Sequence, residues 1–289
     1  SMYVMCRGLG IGAIASVAAG LFYVLNPSFF WRICAGQIAF LIGWAITPLA
    51  ICFFVAAVEN AVRIDVRRAI AAGMLASIAA VQAQFFVFAV AIMTLAALLV
   101  GTSFAKTART LMIVSAVALL INSGWILTEV LPGLSVSGDG KTLTGIWTSL
   151  LWTGQSVSFY SPSLHDAVML QEGKGLSHYW PWALQALGFD ISLWILVFSV
   201  MIAIAAVSTI SGHERRYSLF ALVLITAGIW LTKGSSPPAG ETYYALLRNV
   251  PYFVTFRESF KFSFLVTFGY ALMLALTLNI CEHGGTYIR

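Results

Sequence analysis

The chain has 289 residues, of which 60% are hydrophobic and 9% charged, and its mean hydropathy is +0.90. A soluble domain carries about 25% charged residues, and 16 basic with 11 acidic side chains cannot solvate a globule of this size, which excludes that class. The net charge of +5 does not point to nucleic acid either, because most cations stand in short gaps between apolar runs, where they orient helices in a bilayer.

A helix needs about 20 apolar residues to cross about 30 Å of hydrocarbon. Taken in chain order, the first two such runs are 8–25 and 33–58. Residues 69–101 would form one helix of about 50 Å, too long for a single crossing. Arg63, Arg67 and Arg68 precede this stretch and Lys106 and Arg109 follow it, so a hairpin of two short crossings turning near Gln82 and Gln84 keeps both basic clusters on one side. Runs at 111–131, 191–210, 218–232 and 262–281 complete the series. The expected fold is all-α, a polytopic bundle of about eight crossings that makes one transmembrane domain of residues 1–289.

Eight crossings place both termini in the cytoplasm, together with nine of the basic residues, from Arg7 to Arg289. Two external segments follow. Residues 132–182 are rich in Ser, Thr and Gly and carry Trp147, Trp152, Tyr160, Tyr179 and Trp180, the composition of a cap lying on the membrane surface. Residues 233–261 open on a Gly-Ser-Ser-Pro-Pro turn, continue as an interfacial helix at 241–250, and break at Pro251.

Cys6, Cys34, Cys52 and Cys281 show no CxxC spacing, so neither a zinc site nor a disulfide framework is indicated. No cofactor motif is present. Gly10-Ile11-Gly12-Ala13-Ile14-Ala15 has the letters of a dinucleotide fingerprint but lies in a membrane run with no preceding strand; Gly8 and Gly12 serve close helix packing instead. A divalent cation remains compatible with His165, Asp166, Glu172 and His178, although their spacing matches no metal motif. Gln37, Gln82, Gln84 and Asn122 interrupt apolar runs and are expected to hydrogen-bond between helices.

Seven cations fall outside: Arg32, Lys141, Lys174, Lys233, Arg248, Arg257 and Lys261. Five of these lie near the interface, against the orientation rule. Arg257 and Lys261 are four apart, on one face if helical, and together form an anion site, Arg257 as a planar fork and Lys261 as a point charge. The plain alternative is that both reach for lipid headgroups while Phe256, Phe260 and Phe262 anchor the helix.

Two stretches carry a resemblance. The first runs from Asn26-Pro27 through Trp31-Arg32 to Gly36-Gln37 and on to Thr47-Pro48-Leu49. The second comprises Lys233-Gly234-Ser235-Ser236-Pro237-Pro238, Val250-Pro251-Tyr252-Phe253, and Phe256-Arg257-Glu258-Ser259-Phe260-Lys261-Phe262. Together they resemble the membrane domain of GT-C superfamily glycosyltransferases, which take a sugar from a polyprenyl-phosphate donor outside the cytoplasm. Members of that branch often have His where this chain has Gln37 and Pro where it has Ser259. The resemblance implies an extracytoplasmic active site, a polyprenyl-phosphate-linked sugar donor and a glycan or protein acceptor. Arg257 and Lys261, helped by Arg32, Lys233 or Arg248, would hold the departing lipid phosphate. GT-C enzymes resemble one another most in an acidic residue of the first external loop, and residues 26–32 contain none, so the chain is expected to be part of a longer protein whose base lies before Ser1. If the chain is complete, Glu129, Asp139 and Asp166 are the carboxylates available as base.

The rival classes are a transporter or flippase for a lipid or anionic solute and a non-catalytic membrane scaffold. Coupled transport usually needs an ionisable residue near the midplane, and no expected span carries one there.

Overall fold

The computed structural model describes residues 1–59, 64–101, 103–134, 167, 215–238, 240–250, 253–256 and 258–283, without the side chains of 83, 125–134, 254, 255 and 283. Among the described residues every regular element is helical: α1 (Met2–Gly8), α2 (Ala13–Leu25), α3 (Pro27–Cys34), α4 (Ile38–Glu59), α5 (Val66–Ala79), α6 (Ala83–Val100), α7 (Phe104–Leu134), α8 (Arg215–Thr232), α9 (Gly240–Asn249) and α10 (Ser263–His283). Two 3-10 turns, Phe253–Phe256 and Ser259–Phe262, link α9 to α10.

Among the described residues three helices are long and apolar enough to cross a membrane: Ile38–Glu59, Phe104–Gly124 and Ser259–Glu282. A fourth arises if α2 and α3, bent by 44°, count as one broken span. The expected total of eight is therefore not reached among the described residues, for identifiable reasons. The run at 8–25 is interrupted at Gly10, whose φ of +81° only glycine adopts without strain, which leaves α2 with 13 residues. The expected hairpin is present, with α5 ending at Ala79 and α6 starting at Ala83, but its arms have 14 and 18 residues. α8 has 18 residues and opens on Arg215-Arg216, which lowers its hydropathy. The run at 191–210, and the cap at 132–182 except Ala167 and residues 132–134, which continue α7, lie outside the described residues.

α10 is the central helix, with 78% of its span buried, whereas 22% of the α7 span is buried at the rim. α10 packs on α8 and α2, while α4 packs on α5, α6 and α1, and α5 on α7. The glycines expected to serve close packing do so: a Cβ on Gly8 would stand 2.7 Å from the Cys52 sulfur, and one on Gly12 would overlap the Glu282 carboxylate.

Pro48 sits inside α4 and has no N–H to donate to the carbonyl of Trp44, four residues earlier. The buried Tyr23 hydroxyl takes that place, donating to the Trp44 oxygen at 2.8 Å. Replacing Tyr23 with Phe is expected to cost about 1–2 kcal/mol, since it leaves a carbonyl unsatisfied in an apolar core. In a Pro48→Ala background the restored N–H fills the gap, and the cost of Tyr23→Phe falls below about 0.5 kcal/mol. Unfolding in mixed micelles measures both; equal costs in the two backgrounds would refute this coupling.

Basic residues collect at one end of the bundle. Arg68 Nη1 donates to the Ala56 carbonyl at 3.4 Å and Lys106 Nζ to that of Val58 at 3.1 Å, so two cations cover the last turn of α4, where carbonyls lack helical partners. The Tyr217 hydroxyl donates to Glu59, which draws the start of α8 to the same end. The Gly12 N–H donates to Asn279 Oδ1 at 2.7 Å, joining the start of α2 to the end of α10.

Candidate functional site

The opposite end is built around Arg32. Asn26 caps α3 by accepting from the Phe29 N–H at 3.0 Å, and its amide donates back to the Tyr23 carbonyl at 2.8 Å. Pro27 at the first helical position suits this start, so the chain turns sharply where α2 ends. Gly36, with φ +66°, then reverses the chain into α4.

These turns lay Arg32 over the first turn of α4, where it is fully buried. Its guanidinium carbon lies 4.1 Å from the Phe40 ring centre, 4.4 Å from that of Phe260 and 5.3 Å from that of Trp31. Nη1 donates to Gln37 Oε1 at 2.5 Å. A guanidinium out of water needs such partners: ring faces supply negative potential, and the amide oxygen accepts a charge-assisted bond. Trp31 also meets Phe260 edge-on at 5.8 Å, and the Ser28 and Ser263 hydroxyls are 2.6 Å apart. The two stretches that carry the family resemblance, more than 200 residues apart, therefore pack together.

Beneath them Trp44 touches Phe40, Phe29 and Phe264 at 5.9, 5.7 and 5.2 Å. Phe85 and Phe88, at the start of α6, pack on Phe264, and Phe88 also reaches Phe256 and Phe262. The Tyr243 hydroxyl donates to the Phe256 carbonyl and holds α9 against this layer; burial pushes its phenol above the ordinary range.

The sequence-derived site residues divide accordingly. Arg32 is enclosed, and in this arrangement its charge joins two segments. Lys233 is also buried and donates to the carbonyls of Ser236, at 2.8 Å, and Pro238, closing the turn after α8; burial lowers its ammonium below the usual value. Lys261 pairs with Glu258 at 3.0 Å, with side-chain exposures of 12% and 23%, so the pair lies at the edge of the packed layer. Arg248 is exposed on α9. Arg257, Asp139 and Asp166 lie outside the described residues, as does the side chain of Glu129. The described residues flanking position 257 form 3-10 turns, whereas the shared face expected of Arg257 and Lys261 was conditional on an α-helix.

Among the described residues no three His, Cys, Asp or Glu side chains gather to hold a metal. Gln37, in the link between α3 and α4, accepts from Arg32 of α3, and the Asn122 amide donates to the Ala118 carbonyl of its own helix at 2.8 Å. Sequence reasoning missed the aromatic enclosure of Arg32 and the Glu258 partner of Lys261; the available signal was that Trp31 and Phe260 stand next to these cations and Glu258 three residues before Lys261. The chain matches no protein-family model, no curated protein and no solved structure.

Proposed function

We propose that this chain is the membrane part of a GT-C-like glycosyltransferase that moves a sugar from a polyprenyl-phosphate donor to a glycan or protein acceptor on the extracytoplasmic face. The observation that carries the reading is the meeting of the two resembling stretches through Arg32 and Phe260. By the orientation rule the basic end would face the cytoplasm together with both termini, which would leave the Arg32 end outside.

In this mechanism the bond between the anomeric carbon and the phosphate oxygen breaks, and a bond from that carbon to the acceptor oxygen forms. The acceptor proton passes to a carboxylate. Charge grows on the departing phosphate, and Lys261, released from Glu258, meets it together with Arg257 and the exposed Arg248. Arg32 and Lys233 hold the walls of the mouth.

Arg257→Ala with Lys261→Ala in the full-length protein is expected to abolish transfer from a polyprenyl-phosphate sugar while leaving membrane expression unchanged. Transfer at the unsubstituted rate would end this reading.

A further inference from the structure

The seam between α5 and α7 at the basic end has the form of a lipid site. α5 and α7 touch closely: a Cβ on Gly73 would stand 2.9 Å from the Val114 carbonyl and 2.8 Å from Val117 Cβ. Both helices begin near the end of α4, since Arg68 reaches the Ala56 carbonyl and Lys106 that of Val58. Arg67 precedes Gly73 by six residues, about 9 Å along α5, and Arg109 precedes Val114 by five, about 7.5 Å along α7, so the two arginines stand nearly level.

Both are exposed, and neither has an ion-pair partner among the described residues. The carboxylate beside them, Asp65, is already taken: it caps α5 through the Arg68 N–H at 3.1 Å and pairs with Arg68 Nε at 3.2 Å. Along α5, Val66, Ile70, Met74 and Ile78 recur every four residues and are all exposed, an apolar stripe of about 18 Å. On α7, Phe104 and Met112 are exposed on either side of Arg109.

Level, unpaired cations above an apolar stripe match one ligand shape, an anionic head on hydrocarbon tails. A free phosphate would leave the stripe uncovered, and a zwitterionic lipid would set its own cation against the arginines. We infer that an anionic phospholipid occupies this seam, its phosphate at Arg67 and Arg109 and its acyl chains along Val66, Ile70, Met74 and Ile78.

The test is native mass spectrometry of the full chain in neutral detergent with equal amounts of phosphatidylglycerol and phosphatidylcholine. Preferential retention of phosphatidylglycerol is expected, and Arg67→Gln with Arg109→Gln should weaken it about 30-fold. Met74→Gln, which leaves both arginines in place, should weaken retention of phosphatidylglycerol as well. Equal retention of the two lipids by the unsubstituted protein would overturn the proposal without reliance on any variant. So would an undiminished preference in the double variant, or displacement of the lipid by equimolar glycerol 3-phosphate, which would make the ligand a free phosphate.

Discussion

Replacing Arg32 with Ala is expected to destabilise the fold by about 3–5 kcal/mol, more than any other single truncation at this end of the bundle. The guanidinium fills the space between Phe40 and Phe260 and holds the half-buried Gln37 oxygen, so its loss opens a cavity between the rings and removes the donor from that oxygen. Arg32→Lys should recover only part of the loss, because a compact ammonium cannot present a plane to the rings or a fork to the amide. Arg32→Met keeps most of the volume without the charge. It should therefore fall between Lys and Ala if the ring contacts are chiefly packing, and at or below Ala if they are chiefly electrostatic. Unfolding in mixed micelles ranks the three variants; an Arg32→Ala protein as stable as the parent would show that this charge holds nothing.

The second large effect lies along the seam of α8 and α10. A Cβ on Gly269 would stand 2.9 Å from the Ala221 carbonyl and 2.6 Å from Ile225 Cγ1; one on Gly228 would stand 2.9 Å from the Val266 backbone nitrogen. Backbone atoms cannot swing aside as a side-chain tip can, so the helices would have to separate. In an open helix Gly→Ala stabilises by about 1 kcal/mol; here the expected sign is reversed. Gly269→Leu should cost about 3 kcal/mol or more, since lipid-embedded helices gain most of their association from close packing. The pair Gly228→Leu and Gly269→Leu should cost less than the sum of the two, because one separation accommodates both. Strict additivity would mean that the two contacts yield independently.

Membrane character was legible from composition, because so few charges cannot solvate this chain, and helical class from apolar runs of about 20 residues. The hairpin at Gln82 was legible because Arg67, Arg68, Lys106 and Arg109 had to share a side. Helix ends were less so. Asn26 and Gly36 carve α3 out of what reads as the approach to a second crossing, and that depends on a side-chain cap and a positive φ rather than on hydropathy. α7 begins at Phe104, seven residues before its apolar run, because Lys106 and Arg109 sit at the basic end, where long side chains reach carbonyls or water.

At the candidate site, residue types were legible and their states were not. Arg32 and Lys261 were both chosen as cations near an interface, yet one is sealed among rings and the other paired at an edge. Burial is set by partners more than 200 positions away, such as Phe260 for Arg32, and spacing along the chain says nothing about them. The Trp44 carbonyl is a similar case: Pro48 announces an orphan acceptor, but not that Tyr23 would satisfy it.

The segment around α3 and the segment opening α10 form one packed unit at this end of the bundle. The Ser28 and Ser263 oxygens are 2.6 Å apart, so Ser28→Cys with Ser263→Cys, in a protein whose four native cysteines are replaced, places two sulfurs within reach of a bond. Mild oxidation in native membranes should crosslink the pair in most molecules, detectable as a bridged peptide after proteolysis. Failure to crosslink, in protein that still expresses and reacts at both thiols, would show that the two segments do not pack together.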